Sequence, residues 1–303
     1  LSASRLQLEQ AVDQAPDDSE RYAVLGDWLA QAGDPRGELI ALQLGDRSSS
    51  SARSREAELL STRGLRISRA KRAQWRWGYI HTLAFDLTGA DGWEAWRVPD
   101  GDRTWASELL GPELTHPSCR FLRELVVEGD PGDVALRWLS THPPAVLRSL
   151  QLVSNEVDLA TVGAGLERLE RLAIASQFIT PATLALPRLR ELQLPLDALP
   201  ARSLALVLDA LRPTLRAMTV TSLEGVDAAA LAPLFELRAL DSLTVRADAM
   251  GRGAVDALEA SPLKEQLVTL DLSRSGLSEE ATKRLLKRAG QFPKLSSLLL
   301  GET

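Results

Sequence analysis

The sequence predicts an α/β fold: a solenoid of stacked repeats with one short strand to each turn, closed at its front by an all-helical unit. Three observations predict it. A nine-residue pattern, apolar at positions 1, 4 and 6 with a short polar residue at 9, is written in Leu147-Arg148-Ser149-Leu150-Gln151-Leu152-Val153-Ser154-Asn155. The same phase returns at Leu122, Leu169, Leu189, Leu215, Leu240, Leu267 and Leu295, with a weaker copy at Ile80; from Leu122 the starts are 25, 22, 20, 26, 25, 27 and 28 residues apart. Residues 1–78 carry instead the 3- and 4-residue apolar spacing of helices. The expected domains are therefore a helical capping unit at 1–78 and a repeat array of about nine strands at 79–303.

The bulk numbers exclude several classes. In a repeat array each turn buries its core against its neighbours, so 303 residues do not count domains. With 45% hydrophobic and 25% charged residues the composition is that of a soluble protein, and no apolar run is long enough to span a membrane. The single cysteine, Cys119, excludes an internal disulfide, and the three scattered histidines make no zinc spacing with it. A reducing, cytoplasmic setting is expected. The chain opens on Leu1, which suggests an upstream piece, and nothing in 2–17 has the apolar core of a signal peptide. Net charge is −6. Residues 47–77, however, hold nine Lys or Arg against Glu56 and Glu58, a local +7 that leaves −13 for the other residues.

Element by element, Leu6, Leu8 and Val12 predict a first short helix that Pro16 ends. Tyr22, Leu25, Trp28 and Leu29 share one face of a second, which stops at Gly33. Asp34 before Pro35 is an N-cap followed by proline at the first helical position, where its missing N–H costs nothing, and Leu39, Ile40, Leu42 and Leu44 continue a third helix. Trp28 is expected in the small core, Asp34 as a cap, and Asp27 or Glu38 as the ion-pair partner of Arg36. No histidine, cysteine or glycine-rich loop stands near these carboxylates to complete a catalytic site.

These residues carry a resemblance. Tyr22-Ala23-Val24-Leu25-Gly26-Asp27-Trp28-Leu29, then Gly33-Asp34-Pro35-Arg36-Gly37-Glu38-Leu39-Ile40-Ala41-Leu42-Gln43, Arg55-Glu56-Ala57-Glu58-Leu59-Leu60 and Trp75-Arg76-Trp77-Gly78-Tyr79-Ile80 resemble the bacterial repeat-companion domain, a helical module found beside leucine-rich repeats. The likeness covers about the first 85 residues and departs from the family at Gly26, where alanine is commoner, and in the Ser48 to Ser51 run. It implies a helical fold and no catalytic activity.

Between the helices and the array, Trp75, Trp77 and Tyr79 are expected to form a joint. The basic residues Arg63, Arg66, Arg69, Lys71, Arg72 and Arg76, interleaved with Trp75 and Trp77, admit three readings: the wet face of an amphipathic helix running on from Leu59 and Leu60, a docking patch for an acidic partner, or a grip on nucleic acid. The longest gap between strands, 42 residues from Ile80 to Leu122, holds two turn-rich stretches, and 86–102 is expected as an inserted loop with a helix at 104–110. Trp93 and Trp96 in that loop either fold back over a hydrophobic edge or contact another molecule.

Later turns regularise. Thr115-His116-Pro117 and Thr141-His142-Pro143 recur 26 residues apart and are expected to end helices, since proline disfavours helical geometry in the residue before it. Helices are expected at 203–211, 227–235, 253–259 and 279–289, with irregular or one-turn structure in the shortened connections between 155 and 188. Repeats of 25 to 28 residues, as in Leu267-Val268-Thr269-Leu270-Asp271-Leu272-Ser273-Arg274-Ser275-Gly276-Leu277, resemble the ribonuclease-inhibitor-like class of leucine-rich repeats over roughly 79–303. That similarity implies a horseshoe with a parallel sheet lining its concave inner side and helices outside. Its ninth position, by preference asparagine, is here Asp130, Asn155, Gln177, Asp197, Leu223, Asp248 and Ser275; Leu223 departs and unsettles the turn at 222–226.

Strand alternation assigns the exposed face. With positions 4 and 6 buried, positions 3, 5 and 7 line the concave sheet. Expected partner-binding residues there are Glu124, Glu128, Gln151, Arg171, Glu191, Gln193, Arg246 and Asp271, joined by Trp93 and Trp96; Thr82, Ala84 and Asp86 open the face at its front. Nine strands about 4.8 Å apart and about 13 Å long give a face on the order of 500 Å², below the roughly 800 Å² per partner of a standard interface, so rims must join. The second-position row Arg123, Arg148, Arg190 and Arg216 offers one, or is a solvated row of loop-edge charges. The last pattern ends at Gly301 with no capping helix before Thr303, which predicts an exposed strand edge, or one covered by a second copy or by residues outside this chain.

With no glycine-rich phosphate loop, metal constellation or nucleophile–base pair, an enzyme is not expected, nor any cofactor or metal. The reading is a non-catalytic module binding a protein partner through its concave sheet and strand-edge rims. Two alternatives stand beside it: nucleic-acid or acidic-partner binding through 53–76, and regulation of a GTPase or hydrolase.

Overall fold

The computed structural model describes residues 4–45, 49–62, 65, 67, 70–86, 110–129, 132–163 and 165–301. The chain is mixed α/β, and it divides into two compact units: Leu1–Glu128 with His142–Arg148, and Gly129–Thr141 with Ser149–Thr303. The inserted loop expected at 86–102, apart from Asp86, and the helix expected at 104–110, apart from Leu110, lie outside the described residues, as do Asp130, Arg63, Arg66 and Arg69.

Unit one begins with helices whose ends are written in the sequence. In α1 (Arg5–Gln14) the Ser4 side chain accepts from the Gln7 N–H and the Gln7 side chain answers on the Ser4 N–H, a reciprocal cap. Asp18 caps α2 (Ser19–Gln31), and Asp34 caps α3 (Pro35–Leu44) by accepting from the Arg36 N–H at 3.0 Å. The pair α2/α3 crosses closely because it crosses on glycine. A Cβ on Gly37 would stand 2.6 Å from the Gly26 carbonyl oxygen, and a Cβ on Gly26 would press on Ile40. Gly26 thus leaves room for the Ile40 side chain.

After α4 (Ser50–Ser61) the structure departs from expectation. The amphipathic helix stops before Arg63, and Lys71, Arg72 and Arg76 lie on a strand, β1 (Ala70–Arg76), paired antiparallel with β2 (Tyr79–Asp86). Two residues join them, Trp77 with φ 51° and Gly78 with φ 75°, the primed turn whose twist matches that of paired strands. The Gly78 N–H donates to the Gln43 Oε1 at 2.9 Å, tying the tip to α3. The alternation of charge and aromatic in 70–76 reads equally well as helix or strand over so short a span; the tight turn at Trp77-Gly78 decides it.

Among the described residues unit one continues with α5 (Gly111–Leu114) and β3 (Glu124–Glu128), the latter parallel to β2. His116 follows α5 as expected and also starts the next turn, its ring nitrogen accepting from the Ser118 N–H at 3.2 Å. One apolar cluster runs from the helices into the strands: Val12, Tyr22, Leu25, Leu29 and Ile40 with Tyr79, Phe121 and Val146, and Trp28 and Trp77 at its rim. Tyr22, Tyr79 and Phe121 meet edge to face, with Tyr79 and Phe121 centroids 4.6 Å apart.

Unit two contains α6 (Gly132–Thr141), β4 (Ser149–Val153), β5 (Glu156–Asp158), β6 (Arg171–Ala175), β7 (Phe178–Thr180), β8 (Glu191–Pro195), α7 (Ala201–Leu208), β9 (Ala217–Ser222), α8 (Ala228–Leu231), β10 (Ser242–Ala247), α9 (Arg252–Ala260), β11 (Thr269–Arg274), α10 (Glu279–Arg288) and β12 (Ser297–Leu300). Its strands pair in the order β4-β6-β8-β9-β10-β11-β12, all parallel, and β5 and β7 form a separate short parallel pair where irregular structure was expected. The register puts Leu150, Leu172, Leu192, Met218, Leu243, Leu270 and Leu298 in one file. Every one but Leu298 is buried.

Helices fall where the spacing places them, and α6 ends at Thr141, just before His142-Pro143. In α10 the acids Glu279 and Glu280 occupy the first turn and Lys287 and Arg288 the last, the arrangement the helix dipole favours. The turn at 222–226 forms despite Leu223, which is 84% exposed. Its polar groups are satisfied from the preceding repeat: Asp197 accepts from the Ser222 hydroxyl and from the Leu223 N–H, both at 2.6 Å.

Candidate functional site

Alternation along the strands separates a buried face from an open one. In unit two the residues at positions 4 and 6 of β4 to β11 are buried, and those at 3, 5 and 7 are exposed or half-buried. The open face carries three rows. The first runs Ser149, Arg171, Glu191, Ala217, Ser242, Thr269; the second Gln151, Ala173, Gln193, Thr219, Thr244, Asp271; the third Val153, Ala175, Pro195, Thr221, Arg246 and then Arg274. Sequence spacing puts Ser273 in the third row, but a register shift between Thr244 and Arg246 gives β11 one extra residue and sets Arg274 opposite Arg246. No sequence signal marks that bulge.

The expected site residues of this unit therefore share one surface. Gln151, Arg171, Glu191 and Arg246 are exposed, and Gln193 and Asp271 are half-buried. Arg171 stands in register with Ser149 and Glu191, bringing opposite charges side by side. Asp271 is turned to its own strand: its Oδ1 accepts from the Ser273 N–H at 3.0 Å and the Ser273 hydroxyl at 2.6 Å. The floor between these polar groups is made mostly of Ala, Ser and Thr, with Val153 and Pro195 in the third row.

In unit one the expected front of this face is filled in. Thr82 and Ala84, assigned to it by spacing, are 5% and 4% exposed, because β1 places Gln74 and Arg72 directly across from them. Glu124 accepts from the Thr82 hydroxyl at 3.1 Å, and Glu128 accepts from Lys71 Nζ at 2.6 Å, with Asp86 3.2 Å from the same ammonium. Lys71 is thereby held protonated by its Glu128 and Asp86 hydrogen bonds.

Other cations of the basic segment are also engaged within unit one. Arg55 forks Glu38 at 2.6 and 2.9 Å and reaches Glu58 at 2.8 Å, which corrects the expected Glu38–Arg36 pairing. The Arg76 guanidinium lies 4.0 Å over the Trp77 ring and 3.8 Å from Asp17. Arg36 is buried and pairs with Asp34, its own helix cap, while donating to the Pro117 carbonyl at 3.0 Å. Arg123, expected in a solvated rim, is 7% exposed and donates to Asp17 at 2.7 Å; Arg120 donates to Asp13 at 3.0 Å. Farther along that rim Arg190 and Arg216 remain exposed. Burial pushes the Asp17 and Asp34 carboxyls upward, but the hydrogen bonds and charges of Arg123 and of Arg36 respectively hold both below the usual carboxylate range.

Gln43, Gln74, Trp75, Arg76, Trp77 and His81 border an open cleft of about 350 Å³ at the hairpin. Its indoles serve packing, Trp77 against Tyr22 at 4.9 Å between centroids and Trp75 against Leu39, Leu59 and Leu65. Burial, reinforced by Arg123, lowers the pKa of His81, which holds the ring neutral at pH 7. The Cys119 thiol is pushed up to about 12 by burial and is no nucleophile there. Among the described residues no three His, Cys, Asp or Glu side chains cluster as a metal site requires, and no helix is long and apolar enough to cross a membrane. Trp93 and Trp96 lie outside the described residues.

No protein-family model matches this chain, and no curated protein matches it. Function must be argued from its own geometry.

Proposed function

We propose that the chain is a non-catalytic protein-interaction module of the leucine-rich repeat kind, with its amino-terminal helices as a cap of the repeat-companion type and the open face of its parallel strands as the docking surface. One observation carries the reading: leucine, valine, isoleucine and methionine stand buried in file along β4 to β11 while the intervening, mostly small or polar side chains face solvent. A small-molecule or catalytic site is concave and holds converging polar groups around a reacting centre; an open strip of Gln, Arg, Glu, Ser and Thr suits the side chains of another protein. The cap reading is supported by the apolar cluster that joins α1, α2 and α3 to Tyr79 and Phe121. Strand β12 has β11 on one side and no described strand on the other, so the edge remains a second place for a copy of this chain to pair.

The nucleic-acid alternative is weakened by the same geometry, since Arg55, Lys71 and Arg76 are bound to acids or rings of unit one. The test is site-specific photo-cross-linking in the producing cell. A photoreactive phenylalanine at Gln151 or Gln193 should trap a discrete protein adduct, and the same probe at Lys283 or Lys287 on α10 should not. Adducts formed only from the α10 positions would overturn the reading.

A further inference from the structure

We propose that Arg246 and Arg274, adjacent on β10 and β11, form a carboxylate-binding site that receives an acidic, Asp- or Glu-bearing segment of a partner protein; this rests on the open face being a docking surface. The two residues are register partners on neighbouring parallel strands, so their backbones stand about 4.8 Å apart. Both side chains are exposed. Like charges side by side on a sheet repel, and an ordinary sheet places an acid between or across from them. Here no described carboxylate lies within ion-pair distance of either guanidinium. Asp271, the acid of the neighbouring row, turns its Oδ1 to the Ser273 N–H and hydroxyl and makes no ion pair with either arginine. The third row itself offers Val153, Ala175, Pro195 and Thr221, none of them an acid.

The contrast with the arginines of α10 sharpens the point. Arg284 and Arg288 on α10 converge on one oxygen of Glu259, each at 2.7 Å, and Arg284 also meets Asp256. That basic helix face is neutralised from within, whereas Arg246 and Arg274 are left with two sets of donors pointing to solvent. The bulge in β11 is what makes them neighbours; without it Ser273 would face Arg246. Guanidinium donors match carboxylates in forked pairs, and two guanidiniums a strand apart match two carboxylates on an extended segment. The Ser and Thr floor beside them leaves room for that segment's backbone.

The probe is fluorescein-labelled hexaglutamate, read by anisotropy at low salt on the full chain. The intact protein should bind it, and the Arg246→Gln/Arg274→Gln double variant should bind at least tenfold more weakly at an unchanged melting midpoint. Lys283→Gln/Lys287→Gln, on α10 away from that face, should stay within twofold. Equal losses in both variants, or no loss in the arginine double variant, overturn the proposal, as does an oligothymidylate that binds more tightly than hexaglutamate and is released by the same double substitution. Face cross-links from Gln151 and Gln193 that persist in the double variant while hexaglutamate fails to bind the intact chain would sink the acidic chemistry alone. Loss of those cross-links in the intact chain would sink the docking surface beneath it.

Discussion

Unit one and the third row of unit two's open face treat charge in opposite ways. In unit one, Arg36, Arg55, Arg120, Arg123 and Lys71 each hold an internal carboxylate. On the open face of unit two, Arg246 and Arg274 hold none. Their cores differ likewise, rings meeting edge to face in the first and a file of aliphatic side chains in the second. The difference teaches that the density of basic residues in a sequence is a poor pointer to a binding site. In the +7 segment at 47–77, Arg55 and Lys71 hold carboxylates and Arg76 lies over the Trp77 ring, while Arg246 and Arg274, outside any basic run, are exposed.

Substitutions can break or sharpen that contrast. Gly37→Ala should have the largest effect, since its Cβ would meet backbone of the facing helix; a loss of about 3 kcal/mol or more in urea denaturation is expected, and a loss under about 1 kcal/mol would mean α2 and α3 are not locked as described. Leu243→Ala, at 0% exposure, should cost about 3 kcal/mol through the cavity it leaves in the file, detected as a lower denaturation midpoint. Asp34→Ala removes a helix cap and strips buried Arg36 of its carboxylate, for a loss of about 2 kcal/mol.

The same carboxylates give unit one an acid sensitivity. Because the folded-state pKa values of Asp17 and Asp34 lie below their unfolded values near 3.9, the stability they contribute is complete above that value and is lost as pH falls through the folded pKa values. Stability should therefore decline below about pH 4, and the Asp34→Asn variant should show a flatter profile over that range; identical acid profiles would remove Asp34 from the account. The smaller effects concern the turn at 222–226. Asp197→Ala should cost about 1.5 kcal/mol by orphaning the Leu223 N–H and Ser222 hydroxyl, whereas Leu223→Asn, restoring the preferred ninth residue, should change stability by less than about 0.5 kcal/mol. A large gain from Leu223→Asn would show that Asp197 does not satisfy the turn.

Much of the fold is legible in the chain because it is local. A strand of period two must bury Leu150 and Leu152 together and expose Gln151, and Ser4, Asp18, Asp34 and Ser278 can cap helices without knowing what lies beyond them. Other features depend on partners remote in sequence. Thr82 and Ala84 follow the open-face pattern and are buried all the same, because the antiparallel neighbour supplied by residues 70–76 stands across from them.

What the amino-acid order determined by itself was periodicity: which side chains go inward, where helices begin, and how far apart successive strands lie along the chain. What only tertiary structure decided was charge pairing and register error: that Arg123 reaches Asp17 across more than a hundred residues, that Asp197 serves the turn of the next repeat, and that one extra residue in β11 brings Arg274 beside Arg246. The physical reason is range. Hydrophobic alternation and capping act over a few residues, whereas an ion pair or a strand register is fixed only when the segments that make it have already been brought together.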